Sequence, residues 1–275
     1  MSLDAVTRSR IKGYLEGFIR GLLAEHQAQR YRERQRRARQ THVSPKGELK
    51  PFHEAILPAE LLRASAFERS FSTRLGSTFE ECARLIALQR FPLVRRGYRT
   101  MGEMAFAADA KIEEIINRLQ RGGSQVEPDF LAWIDEVLRA ESEAVVRRRV
   151  VADLYLQDEQ GREYFFELKS PRPNKGQCLE VTQRLLRAHA LRKAPRPQVQ
   201  AFYAMAYNPY GETKADYAHA IARRYLDVEH QVLLGREFWD FLGGPGTYEA
   251  LLDVYAEVGR ESGSRLVEAL LLFDA

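Results

Sequence analysis

The stretch that decides the fold is VVADLYLQDEQGREYFFELK, Val150 to Lys169. Val150 to Leu156 is rich in β-branched and aromatic residues, Gln157 to Arg162 is polar and carries Gly161, and Glu163 to Lys169 is again aromatic. This pattern predicts a hairpin of two strands joined by a polar turn. Side chains alternate along a strand, so Glu167 and Lys169 share one face while Phe166 and Leu168 take the other. Across a tight hairpin, Asp153 comes near the charged pair.

Downstream, Pro171 and Pro173 precede a helical spacing of Cys178, Val181, Leu185 and Ala188. Pro197 then opens an alternating run, Val199, Ala201, Tyr203, Met205 and Tyr207, which Asn208-Pro209-Tyr210-Gly211 ends as a turn. A helix over Asp216 to Leu226, a short strand around Gln231 to Leu234 and a helix from Thr247 follow.

Upstream, the chain reads as mostly helical. Ile11, Leu15, Phe18, Ile19 and Leu22 recur at helical spacing. A second helix is expected from Ser77, after a polar turn over Ser72, Thr73, Arg74 and Gly76, with Ser77 or Thr78 as its cap. Two more carry Ala108, Ile112, Ile115, Ile116 and Leu119, then Phe130, Ile134, Val137 and Leu138. The expected fold class is therefore α/β (α+β), a mixed central sheet flanked by helices. Residues 1–50 form a helical and basic N-terminal elaboration with a soft boundary, and residues 51–275 the main domain.

Composition bounds the function. With 275 residues, 45% hydrophobic and 29% charged, the chain has a globular balance, which excludes disorder, collagen-like repeats and disulfide scaffolds. Its longest apolar stretches, such as Leu266 to Phe273, fall short of the ~20 residues of a membrane-spanning helix. The N-terminus has no secretory signal pattern, because Asp4, Arg8, Arg10, Lys12 and Glu16 interrupt it. Cys82 and Cys178 lack metal-ligand spacing, so buried reduced thiols and a cytoplasmic protein are expected. The six histidines form no zinc motif, and Gly243-Gly244-Pro245-Gly246 lacks the Lys-Ser/Thr of a phosphate-binding loop.

The net charge is only +4, yet 34 of the 42 basic residues are arginine, the residue that pairs bidentately with phosphate and with guanine. A coding bias toward arginine is the competing explanation. Arg30 to Arg39 holds six arginines and one glutamate, as a helix extension or an arm, and favours a polyanion over a plain solvated face.

Two carboxylates on adjacent strands suit Mg²⁺, which takes one or two protein carboxylates, keeps several waters and is completed by substrate phosphate. Asp153 and Glu167 would be its ligands, with the Leu168 carbonyl as a further oxygen, and Lys169 would orient the attacking water and help hold it deprotonated. The competing reading is a cross-strand salt bridge among Asp153, Glu167 and Lys169 on a solvated face.

Ala152-Asp153-Leu154 followed by Phe166-Glu167-Leu168-Lys169-Ser170-Pro171 resembles the PD-(D/E)XK nuclease motif, with Ala152 in place of the usual proline. Lys50-Pro51-Phe52-His53, Gly76-Ser77-Thr78-Phe79-Glu80, Asn174-Lys175-Gly176-Gln177, Asn208-Pro209-Tyr210-Gly211 and Leu234 to Gly244 extend the likeness. Over nearly the whole chain the sequence resembles TdeIII-type type II restriction endonucleases. The resemblance implies a restriction-endonuclease-like core and a Mg²⁺-dependent enzyme cutting double-stranded DNA at a short palindrome-like site, GGNCC. It implies a homodimer, and a cognate DNA methyltransferase in the same system. It also implies a further acid from a preceding helix, for which Glu80 is the matching position. Ser77 with Glu80, and Thr78 with Glu81, have capping-box spacing, which is the structural alternative.

Bases would be read from the Pro-rich loop after the catalytic lysine, by Arg172, Asn174, Lys175 and Gln177. The turn at Asn208 with Lys214 is a second candidate or an ordinary turn. Arg184 and Arg187 are as readily solvent-facing. Two other functions compete: a repair or junction nuclease on the same core, and a DNA-binding protein without catalysis.

Overall fold

The computed structural model describes residues 3–38, 51–122 and 127–271. Two compact units separate by their internal contacts: Phe79–Ala250 with the first four residues, and Ala5–Thr78 with Leu251–Ala275.

The first unit is built on a five-stranded sheet of β1 (Leu93–Ala105), β2 (Val145–Gln157), β3 (Glu163–Lys169), β4 (Val199–Met205) and β5 (Val232–Leu234), in that order. β1, β2 and β3 are antiparallel, and β3, β4 and β5 parallel. The expected hairpin is β2–β3, paired from Leu154↔Phe166 to Gln157↔Glu163. Its turn is locked by Asp158, whose Oδ1 accepts from the backbone N–H groups of Gln160 and Arg162 at 3.0 and 2.9 Å. Gly161 supplies the positive φ of 76° that the turn requires.

The parallel step from β3 to β4 needs a crossover helix, and α6 (Lys175–Arg192) provides it. Asn174 and Gln177 start it as a reciprocal capping box. Its buried stripe lies with those of α4 (Phe106–Arg121), α5 (Phe130–Arg139) and α7 (Ala220–Tyr225) in one apolar cluster with Val150, Tyr155, Phe165, Tyr203 and Val232 of the sheet. The short α8 (Val228–Gln231) leads into β5. Against the other sheet face, α9 (Arg236–Gly243) helps build an aromatic layer. Phe166 has its ring 5.7 Å from Phe202 and 5.8 Å from both Phe238 and Phe241, and the Trp239 indole donates to the Ala206 carbonyl at 2.7 Å.

The second unit draws on α1 (Ala5–Ala38), α2 (Pro51–Ile56), most of α3 (Ala59–Ala87) and most of α10 (Thr247–Leu271). Ile11, Leu15, Ile19 and Leu22 are its buried stripe. Phe18 meets Phe71, and Arg8 and Lys12 pair with Glu257.

The mixed sheet with flanking helices agrees with the sequence reading, and four details differ. The helix expected from Ser77 begins at Ala59. Ser77 and Thr78 are not caps: their hydroxyls donate to the carbonyls of Arg74 and Leu75, three residues back, the habit of serine and threonine inside a helix. β1 has no counterpart in the sequence pattern, because its run of arginines and glycines carries little apolar alternation. The helix expected over Asp216 to Leu226 is confined to Ala220–Tyr225, after a 3₁₀ turn at Lys214–Asp216. The basic run continues α1 as far as Ala38; Arg39 and the soft boundary near residue 50 lie outside the described residues. Both cysteines are buried thiols outside any disulfide, and no described helix is long and apolar enough to cross a membrane.

Phe166 is fully buried immediately before Glu167. Phe166→Ala is expected to cost about 3–5 kcal/mol, read as a lowered midpoint in urea denaturation.

Candidate active site

Asp153 sits one step beyond the last β2–β3 pair, opposite Glu167 in the extended register. The β1–β2 ladder also lapses there: Arg96 pairs with Leu154 and Tyr98 with Ala152, but Gly97 and Asp153 between them are not paired. Gly97 has a φ of 61°, a conformation that glycine adopts without strain. The lapse breaks strict alternation, since Ala152 and Tyr155 join the same apolar cluster although three residues apart. Released from both neighbours, Asp153 turns its carboxylate to β3 and accepts the Leu168 N–H on Oδ2 at 2.8 Å.

Glu167 is held in the centre of the sheet, with Tyr203 of β4 beside it in register. Its side chain is 1% exposed. Lys169 Nζ lies 2.8 Å from Glu167 Oε1 and 3.7 Å from Asp153 Oδ2. A second cation reaches the same oxygen: Arg184 of α6 places Nη1 2.5 Å from Glu167 Oε1. Glu167 Oε2 is buried without a hydrogen-bond partner. The ion pairs of the competing reading exist, but the burial of Glu167 removes its premise of a solvated face.

Burial, and next the charge of Glu167, push the Asp153 carboxyl up to about 6, against the pull of Lys169 and the Leu168 N–H. Burial acts to lower the Lys169 pKa, but its hydrogen bond to Glu167 and the charge of Asp153 outweigh it, and the net direction is upward. Lys169 is therefore a cation at neutral pH.

Glu80 and Glu81 on α3 have different surroundings. Glu81 is gripped by Arg84 at 2.6 to 3.1 Å, which holds its carboxyl below the usual range against the effect of burial. Glu80 accepts from Arg96 of β1 at 2.9 Å, and its charge acts on Asp153. Arg96 also reaches Glu81, at 3.4 Å. The capping role of Glu80 falls with the misplaced helix start.

The loop after Lys169 is braced from behind. Tyr203, Tyr217 and His219 bond the carbonyls of Ser170, Pro171 and Pro173 at 3.1, 2.7 and 2.9 Å. Among the candidate base readers, Arg172 lies over the Tyr210 ring, Asn174 and Gln177 cap α6, and Lys175 donates to the Gln120 carbonyl at 3.0 Å. Asn208 ties its own turn through the Thr213 carbonyl and the Tyr210 N–H, and Lys214 pairs with Glu237. The sequence reading missed the role of Arg184. The available signal was its place three residues beyond Val181, flanking the stripe that packs on the sheet.

The family model described as the type II restriction endonuclease HinfI matches residues 7–259. The chain belongs to the HinfI family of type II restriction endonucleases. Curated relatives from Herpetosiphon aurantiacus agree: it is 41% identical to the type II restriction enzyme HgiBI and 42% to HgiCII, each over 98% of this chain and all of the relative. HgiEI is 41% identical over the same shares. The restriction-endonuclease class read from the motifs is thus shown, while the matching model is HinfI's and the TdeIII-type subdivision stays a resemblance. As a member of this family the protein is an endodeoxyribonuclease that cleaves double-stranded DNA at specific sites, which sets aside the non-catalytic reading.

The donor set of the site fits a hard divalent cation: two carboxylates, one of them with a buried oxygen that has no hydrogen-bond partner. Among the described residues no three His, Cys, Asp or Glu side chains gather as a self-sufficient metal site. Oxygens from water and phosphate would have to complete one.

A carboxylate whose pKa is raised on folding, here from 3.8 to about 6, opposes folding once it ionises. That cost is absent below pH 4 and complete above pH 6. In cation-free protein Asp153→Asn is therefore expected to stabilise by about 2 kcal/mol at pH 8, a figure discounted for the part-exposed side chain. Melting curves at pH 4 and pH 8 check it, with the gain present only at the higher pH.

Proposed function

We propose that this endonuclease hydrolyses phosphodiester bonds with Mg²⁺ at a short two-fold-symmetric site, GGNCC being the sequence implied by the family resemblance. Asp153, Glu167 and the Leu168 carbonyl would hold the ion. The observation that carries the proposal is the buried Glu167 carboxylate beside Asp153: Lys169 and Arg184 meet one of its oxygens, and the other is buried without a hydrogen-bond partner. When bound, Mg²⁺ acidifies a water and neutralises charge on the scissile phosphate. Lys169, as a cation, orients the attacking water and stabilises charge developing on the phosphate. Glu80 contributes a further negative group whose charge acts on Asp153, and Arg184 fixes the orientation of Glu167.

A two-fold-symmetric site calls for a homodimer that presents one such centre to each strand. A cognate methyltransferase would protect the host's own sites, and both enzymes would work in the cytoplasm, where that DNA lies. Base reading is assigned to Arg172 on the braced loop; Asn174, Lys175 and Gln177, like Asn208 and Lys214, would have to leave their present partners to read a base. Arginine and lysine suit guanine O6 and N7 in the major groove. The domain boundary near residue 50 is kept as part of this reading, with the basic helix end as an added arm.

Unmethylated bacteriophage DNA incubated with protein and Mg²⁺ should give discrete bands whose sequenced ends share GGNCC, and EDTA should abolish them. A smear would remove the sequence specificity, and ends of another sequence would remove GGNCC.

Glu167→Ala is expected to lower the single-turnover rate at least ~10³-fold and Lys169→Ala ~10²- to 10³-fold at saturating Mg²⁺, both with DNA binding retained. An unchanged rate in Lys169→Ala would reduce that lysine to an ion-pair partner.

A further inference from the structure

β1 and β2 run on as a two-stranded ribbon beyond the hairpin, because β3 pairs only with Leu154 to Gln157 of β2 while β1 follows β2 back to Val145. Directly opposed residues of antiparallel strands share a face. One face of this ribbon is covered: Thr100 accepts from Arg192 of α6, a Cβ added at Gly102 would come into van der Waals contact with Leu191, and Arg148 is clamped on Asp109 of α4 at 2.6 to 3.1 Å. The other face presents Arg99 opposite Val151, Met101 opposite Arg149 and Glu103 opposite Arg147. All of these except Val151 are exposed.

Arg99, Arg147 and Arg149 form no ion pair or side-chain hydrogen bond among the described residues. The arginines on the covered side, Arg148, Arg187 and Arg192, are each bound to a carboxylate. Three unneutralised guanidinium groups with one glutamate across the ribbon make a positive face on a rigid element, a few residues before Asp153 on the same strand. At about 3.4 Å per residue, Arg147 stands roughly 20 Å from Asp153, within one ~34 Å helical turn of a duplex. A second copy packed here about a two-fold axis would set arginine against arginine, so charge complementarity selects a polyanion.

We propose that the open face of the β1–β2 ribbon binds the DNA backbone, with Arg99, Arg147 and Arg149 as phosphate contacts that hold the duplex in register with Asp153. This rests on the proposed duplex-cleaving centre at Asp153 and Glu167, and it assigns affinity, not base choice, to the ribbon.

The test is fluorescence anisotropy on a labelled duplex of about three helical turns without divalent cation, over a range of KCl, for wild type and for the variant with Arg99→Ala, Arg147→Ala and Arg149→Ala together. A charge-matched control carries Arg121→Ala, Arg139→Ala and Arg223→Ala. Each lost phosphate contact flattens the slope of log affinity against log salt by about 0.9, so the ribbon variant should lose about 2 to 3 in slope and bind at least ~10-fold more weakly at 0.15 M salt. The control should keep the wild-type slope. A ribbon variant with wild-type slope and affinity overturns the proposal, as does an equal loss in the control, which would trace the effect to net charge. A change of oligomeric state in sedimentation, found only in the ribbon variant, overturns it in favour of a subunit interface. If Glu167→Ala cuts DNA like wild type while the ribbon variant loses slope, the centre was misassigned and the ribbon stands.

Discussion

The structure turns on the carboxylate of Glu167, a charge held almost wholly out of water in the middle of a sheet. A buried carboxylate is tolerated only when neighbouring groups replace the lost hydration. Lys169 and Arg184 do so on one oxygen, from the same strand and from the crossover helix, while the other oxygen is left without a bond. Asp153, drawn to within reach of the same lysine, adds a second negative group whose own ionisation is made harder by burial and by Glu167. The result is a pair of close carboxylates met by two cations, with one buried carboxylate oxygen left without a hydrogen-bond partner.

Rigidity follows from where these groups are mounted. Glu167 stands on a central strand with an aromatic layer behind Phe166 and an apolar cluster around Phe165. The loop beyond Lys169 is tied at the carbonyls of Ser170, Pro171 and Pro173 by residues from β4 and the segment before α7. Helix α6, which carries Arg184, is fixed at its start by a reciprocal capping box. Preorganised groups of this kind need not reorganise when charge develops on a substrate, which is the main electrostatic advantage of an enzyme over water. Asp153 is the exception in backbone terms. It occupies a lapse in two ladders made possible by Gly97, and that lapse re-aims its carboxylate toward β3.

Much of this was legible in the chain itself. The hairpin, the crossover helix, the β4 run and the terminal helix follow from local composition and from periods of two and 3.6 residues, which depend only on backbone geometry. The grouping of Asp153, Glu167 and Lys169 was legible for the same reason, since alternation along one strand and a short hairpin leave few other arrangements. β1 was hidden because its paired face holds Tyr98, Thr100 and Gly102 among arginines, and only burial by α6 and α4 makes that face a core. The start of α3 was hidden because Ser77, Thr78 and Gly76 read as punctuation wherever no partner determines otherwise.

The sequence by itself determined the element types in the sheet region and the carboxylate–carboxylate–lysine motif, because neighbours within twenty residues suffice to specify both. Tertiary structure alone decided that Glu167 is buried, that Glu81 is gripped by Arg84, and that Arg184 joins the charge set while Asn174 and Gln177 serve as a cap. It also decided which arginines are neutralised and which stand open on the ribbon. These outcomes depend on contacts between residues far apart in the chain, and the energy of a charge is set by what surrounds it in space, not by what adjoins it in sequence.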